Sequence, residues 1–469
     1  MPISNDLAFA SIRTLGEQLR AGKFTSRELA EFFLKRLETL GPKYNAVVTV
    51  TRERALQEAA RADADLKAGK DRGPLHGIPF GVKDLLATKG IPTSWGAAPF
   101  KDQLIDVDAT VIERLRDAGA VLAAKLAMVE IAGGMGYDQA NASFSGPGLN
   151  PWNTSRWSGG SSSGPGSAVA AGLVPFAIGS ETSGSIMNPS SYCGITGLRT
   201  TYGRVSRHGA MTLSWTMDKL GPMCRTADDC GIALGAIAGT DVNDPSAAAR
   251  PYGYPATPPI APPFRLATLK GAVDNVQPEV RANFEQSLKV LSGFAEISEV
   301  ALPDELPYDS VVSIIISCEM AAAFEGLVTS GDIWELTAAE DRWGAHAAMV
   351  IPAKDYINAQ RIRTQIQQAI DKLISPFDAL VTPTYATVAY ALDRPWREYW
   401  GRYPDNDVGA AANAAGIPAI SVPNGFGEAH LPTGLQFTGR AFEENRLIAI
   451  ANAYQLATDW HKQVPPVTM

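Results

Sequence analysis

Two clusters of glycine and serine, Gly159–Gly166 and Ser180–Ser185, flank one apolar run, Ala168–Ile178. Glycine lets backbone approach backbone or a ligand closely, and it tolerates positive φ. Each serine hydroxyl both donates and accepts a hydrogen bond. Two such clusters across a buried segment can set two hydroxyls and several bare N–H groups around one point. Those are the parts of an acyl-transfer site: a nucleophile, a proton relay and an oxyanion hole. A flexible linker is the ordinary reading of a Gly/Ser cluster. Linkers, however, do not enclose a run such as AVAAGLVPFAIG, nor continue into YCGITGL.

Acyl transfer to serine needs a base, and histidine is the usual one. The chain has five: His76, His208, His346, His430 and His461. None falls inside the two clusters; His76, near Lys83, and His208, just after the second cluster, stay open as bases, with a structural or surface role the ordinary reading. Lysine is the other candidate. Ile78, Phe80 and Val82 alternate as in a strand, and Lys83 closes it. Burial there would lower the lysine pKa, and a neutral lysine is a base near neutral pH. A solvated surface charge stays open as the alternative. Gly160-Ser161-Ser162-Ser163-Gly164 also matches the G-x-S-x-G nucleophile elbow. That elbow needs a strand running directly into the turn. The preceding NPWNTSRWS is polar and turn-like, so the match is read as accidental.

The order of segments resembles the amidase signature family of serine hydrolases. GIPFGVKD, GGSS at Gly159–Ser162, an apolar helix, GSETSGSI at Gly179–Ile186, CGITGLR and TYGRVSRHG follow the family order. The resemblance runs from about Leu15 to about Trp460. It implies a Ser-Ser-Lys triad: Ser185 the nucleophile, Ser161 the bridge, from a cis peptide with Gly160, and Lys83 the base. It implies an oxyanion hole of the N–H groups of Thr182, Ser183, Gly184 and Ser185. It also implies that the loop EIAGGMGY, with Gly133, Gly134, Met135 and Tyr137, lines the substrate cavity. The residues alone leave a tight turn with core side chains equally open for that loop. Three departures stand near the nucleophile: Glu181 for Asp, Ser183 for Gly and Met187 for Arg. Pro165 interrupts the usual small-residue run.

The elements that must position these residues alternate between helix and strand. A capping box at Thr25 and Glu28 opens a helix over Ser26–Leu40, and a second helix covers Arg52–Ala68. Further helices are expected over Ala227–Ala238, Val280–Ser292, Ser310–Thr329, Pro352–Ile374 and Glu444–Trp460. Strands are expected at Ala120–Leu126, Phe264–Leu269, Ala295–Val300 and Phe377–Pro383. The expectation is an α/β fold: a large mixed, mostly parallel twisted sheet covered by helices on both faces. One domain is expected over 1–469, with a helical N-terminal segment to about 70, a signature core over about 75–240 and a variable cavity-shaping region over about 245–350.

The composition, with 45% hydrophobic residues in 469, supports a substantial core. The net charge is −8, with no dense basic run, which argues against nucleic-acid binding. No apolar run approaches the roughly 20 residues that span a bilayer, and no secretory signal is recognised. Cys193, Cys224, Cys230 and Cys318 show neither metal-ligand nor disulfide-scaffold spacing and read as free thiols in a reducing compartment. A soluble, cytoplasmic monomer or homodimer is expected, with no metal, cofactor, nucleic-acid or membrane partner. The expected activity is hydrolysis of small neutral amides, with aryl esters and carbamates open to the same acyl chemistry. The alternatives are an amidotransferase A subunit, passing ammonia from glutamine beside a tRNA-binding partner, and a silent binding protein. Residues 330–365 carry no arginine-rich segment suited to a glutamine carboxylate. The intact Lys83, Ser161 and Ser185 argue against silence.

Overall fold

The computed structural model describes residues 3–394, 396–403 and 408–467. The single-domain expectation over 1–469 also takes in residues 1–2, 395, 404–407 and 468–469, which lie outside the described residues. One large mixed sheet forms the centre. In order across it run Val47–Val50, Val121–Leu126, Pro79–Lys83, Phe176–Glu181, Lys219–Cys224, Thr196–Arg199, Ala419–Phe426, Pro432–Thr438, Ala379–Pro383, Phe264–Leu269 and Ala295–Val300. Parallel pairing holds in two blocks. Pro79–Lys83 lies between two parallel neighbours, and so does Phe264–Leu269. The pairs between these blocks are antiparallel.

Side chains alternate faces along a strand, and the sheet buries both. Phe80, Val82, Phe176 and Ile178 enter one core, with Ile112, Leu234 and Ile448 from the helices above. Phe80 and Phe176 sit side by side in register and stack at 5.4 Å. Val121, Ala123, Leu126 and Ala177 enter the other core. The helix Ser26–Tyr44 covers that face with Leu34, Leu37 and Leu40. Its capping box forms as the sequence expects, Thr25 and Glu28 each satisfying the other's backbone N–H.

Most expected elements stand within a few residues of their bounds. Phe264–Leu269 and Ala295–Val300 are strands over those residues. Four expectations need correction. The segment between the serine clusters is not one helix. A short helix, Ser163–Ala170, passes through a turn into the strand Phe176–Glu181. Apolar runs of this length fit a buried helix or a buried strand equally well. Pro165 does not interrupt that helix. It sits in the first turn, where its missing N–H would have had no helical acceptor. Ser310–Thr329 is two helices, Tyr308–Ala323 and Glu325–Ser330, broken at Phe324. Asn153–Trp157 is a short strand, paired with Leu149–Asn150 in a separate hairpin. Among the described residues, no helix is long and apolar enough to cross a membrane.

Candidate active site

Lys83 ends a strand buried at every position, and the lysine itself is fully buried. Its Nζ donates to Ser161 Oγ at 2.7 Å and to Ser180 Oγ at 2.9 Å. Ser161 Oγ donates in turn to Ser185 Oγ at 3.0 Å. Three residues far apart in sequence thus form one hydrogen-bonded line. Burial pushes the Lys83 amine down to about 7, and Asp218 and Glu181 oppose that only in part. A neutral lysine can accept the Ser161 proton while still donating to Ser180. Ser180 is a partner that the sequence reading missed. It sits within GSETSGSI, but only the strand geometry aims its hydroxyl at Lys83.

The Gly160–Ser161 peptide bond is cis, and Gly160 N–H donates to Asn188 Oδ1 at 2.9 Å. Ser162, the central residue of the G-x-S-x-G match, turns away. Its hydroxyl donates to the Ser180 carbonyl and accepts from the Ser180 amide. A strand does precede this match, contrary to the turn expected there. It belongs to the side hairpin, however, and Ser158 to Gly160 separate it from Ser161.

The turn Thr182–Ile186 joins the strand Phe176–Glu181 to the helix Met187–Cys193. Gly184 has φ +89, and a Cβ there would collide with the Tyr385 hydroxyl, so only glycine fits. The N–H groups of Thr182, Ser183, Gly184 and Ser185 donate to no protein acceptor among the described residues.

Glu181 grips the base of this turn. One oxygen accepts the N–H groups of Ile186 (2.8 Å) and Met187 (3.0 Å), and the other pairs with Arg199 at 3.0 Å. Burial pushes this carboxyl up. Arg199, Lys219 and the two amides outweigh that and hold it below the usual carboxylate range. Met187 itself packs in the apolar core. The cation near Glu181 therefore comes from the sheet rather than from position 187. Behind the turn, Asp218 accepts from the Thr182 hydroxyl at 2.6 Å and from the Leu213 and Ser214 amides. Lys219 donates to the Thr182 carbonyl at 3.3 Å, and burial beside Arg199 lowers it to about 7.

A cavity of about 360 Å³ opens in front of Ser185. Gly133, Gly134 and Tyr137 line it, as expected. Met135 does not: its side chain is 5% exposed and packs in the main core. Thr182, Ser183 and Ser185 line it too, while Gly184 faces a smaller neighbouring cavity. Most of the remaining wall is aromatic, with Trp157, Tyr385, Tyr390, Trp396 and Trp400 joining Tyr137, and Leu213, Ile316 and Asn188 add to it. The sequence reading missed these five aromatics. No local motif announces them, because residues from about 157 to about 400 meet only in the fold.

No histidine lines either cavity. His76 is buried between the Arg72 amide and the Ala62 carbonyl, and His430 stacks on Phe426.

The match to known proteins agrees with this geometry. The family model for amidases matches residues 28–448. The A subunit of glutamyl-tRNA(Gln) amidotransferase from Chromohalobacter salexigens is 36% identical, over 97% of this chain and 98% of its own length. The solved structure of a native peptide amidase from Stenotrophomonas maltophilia superposes with a TM-score of 0.85 and 30% identity, covering 96% of this chain and 97% of that one. A structure described as a vestigial protein complex revealing the origins of an s-triazine catabolic enzyme gives a TM-score of 0.87 at 28% identity, covering 95% and 98%. The chain belongs to the amidase signature family, whose members are C–N bond hydrolases.

Proposed function

We propose that this chain is a stand-alone amidase that hydrolyses small neutral amides with an aromatic or aliphatic acyl group. Ser185 is the nucleophile, Ser161 the proton relay and Lys83 the base. Neutral Lys83 takes the Ser161 proton as Ser161 takes that of Ser185, and Ser185 Oγ attacks the carbonyl. The N–H groups of Thr182–Ser185 receive the developing oxyanion, each such donor being worth about 2.7–4 kcal/mol of barrier. Ser161 returns its proton to the leaving amine, which departs poorly unless protonated. Water then repeats the relay and frees the acid. Aryl esters and carbamates share this chemistry.

One observation carries the choice of substrate. The cavity before Ser185 has six aromatic walls and, among the described residues, no charged lining side chain. Free glutamine brings a carboxylate and an ammonium, and burying either without a partner is costly. Arg363 does not help there, since it is spent on the Ala414 carbonyl and on Thr216. The second reading, an amidotransferase A subunit, is favoured by the name of the relative at 36% identity.

The test is hydrolysis by the purified chain of an aryl amide, the matching aryl carbamate and free glutamine. Turnover of the aryl substrates without glutaminase activity is expected. Glutamine as the only substrate, or silence until a partner is added, selects the subunit instead. Ser185→Ala should lower turnover by at least about 10⁴-fold and leave no acyl adduct by mass spectrometry. Full activity in that variant would remove the triad.

A further inference from the structure

One wall of the aromatic cavity is the loop from Glu130 to Tyr137. Its backbone is unfavourable, with Ile131 at φ 42 and Ala132 at φ 59. A β-branched residue avoids that region. The helix Ala339–Ala348 and the residues before it hold the loop in place. Glu130 accepts the N–H groups of Thr337 at 2.8 Å and Ala338 at 2.7 Å. Gly344 backs onto the Met135 carbonyl so closely that no Cβ would fit. The third attachment is Asp341.

Asp341 and Glu130 are both fully buried. Among the described residues, neither Asp341 oxygen has a hydrogen-bond partner at full geometry, although the Met135 amide lies near. Facing Asp341 are the Glu130 carboxyl, then Glu340 on its own helix and Tyr137 on the loop, with the Met135 amide as the one relieving group. Among the described residues, neither Asp341 nor Glu130 has an ion-pair partner. Two carboxylates in one dry site do not both ionise readily, and Asp341, the one with no amide held against it at full hydrogen-bond geometry, keeps its proton. The protonated carboxyl then has an O–H to donate to the other.

We propose that a proton carried by Asp341 and donated to Glu130 clamps the substrate loop to the helix, which makes Asp341 a positioning residue for the cavity wall. With the proton in place, Tyr137 is held against the cavity. Its release to solvent leaves two like charges in one buried site, and the loop parts from the helix. Burial, then Glu130 and Glu340, hold the Asp341 carboxyl well above its ordinary range. The clamp therefore opens as pH rises through that raised value. This runs opposite to Lys83, whose deprotonation switches the chemistry on.

The experiment measures KM and kcat separately for the aryl amide from about pH 6 to about pH 10, in the wild type, Asp341→Asn and Asp341→Ala. Asn donates an N–H to Glu130 as the acid does, but it does not titrate. The wild-type KM should climb about tenfold per pH unit on the alkaline side as the closed fraction falls. Asp341→Asn should hold KM within about twofold across that range. Asp341→Ala should show a raised KM at every pH. A wild-type KM that stays flat, or one that Asp341→Asn follows, overturns the proposal. The kinetic arm rests on the activity proposed above. Hydrogen exchange of the wild type at neutral and alkaline pH, corrected for intrinsic rates, does not, and it also decides the matter if a variant fails to fold. Selective loss of protection in 130–137 and 337–344 is expected. Unchanged protection there overturns the clamp, whatever the chain hydrolyses.

Discussion

Lys83 and Lys125 lie on neighbouring parallel strands. Val82 pairs with Lys125, and Lys83 with Leu126. Side chains alternate, so the two lysines leave opposite faces of the same strand pair. Both are fully buried, and burial lowers both amines. Their partners differ. Lys125 meets the Asp84 carboxylate at 2.9 Å and the Thr93 hydroxyl at 2.8 Å. Among the described residues, Lys83 meets only the hydroxyls of Ser161 and Ser180. A carboxylate stabilises the ammonium and ties it into structure. Hydroxyls tolerate the free amine and can pass it a proton. Burial alone does not make a base, since Lys219 is as deeply buried and as lowered but, among the described residues, meets only carbonyl oxygens; Lys83 differs in meeting hydroxyls that can pass it a proton.

The comparison breaks most sharply by removing each lysine in turn. Lys83→Met should cost about 10²–10⁴-fold in kcat for the amide, the range of a lost general base, with the folded state retained. Lys125→Met strands Asp84 in the core. It should cost about 3–5 kcal/mol of stability, read by denaturant unfolding, while the folded fraction keeps its kcat. If the two phenotypes exchange, the assignment of base and structural lysine is wrong.

The pH profile sharpens the same contrast. Lys83 is charged below about 7 and cannot accept the Ser161 proton there. The kcat/KM for the amide should therefore fall about tenfold per unit as pH drops below that value, and level off above it. An acid limb centred in the carboxylate range would point to another base. A control far from both lysines completes the series. Thr25→Ala removes one half of the capping box on the helix Ser26–Tyr44. It should lower stability by about 1 kcal/mol, seen as a small drop in Tm, and leave turnover unchanged.

The legible part of the site was carried by contiguous residues. GIPFGVKD, GGSS and GSETSGSI each lie within a few residues, so the resemblance could carry the triad onto Lys83, Ser161 and Ser185, while the residues alone left Lys83 open as a surface charge. The illegible part was carried by contacts of long range. Arg199 reaches Glu181 across 18 residues, and Asp218 reaches Thr182 across 36. Nothing local marks the aromatic wall, since Trp396 and Trp400 approach Trp157 and Tyr137 only after the sheet closes. Met135 was misplaced for a related reason. Its type suits a core and a pocket alike, and only the loop's backbone decides which it faces.

By itself the sequence determined the class of chemistry, the α/β alternation and most element bounds, because turn residues, caps and apolar periodicity act within one helix or strand. Tertiary structure alone decided which hydroxyl meets which amine, which buried lysine meets a carboxylate, and what walls the cavity. Those depend on sheet order and register, which bring together residues whose separation along the chain carries no information about their separation in space.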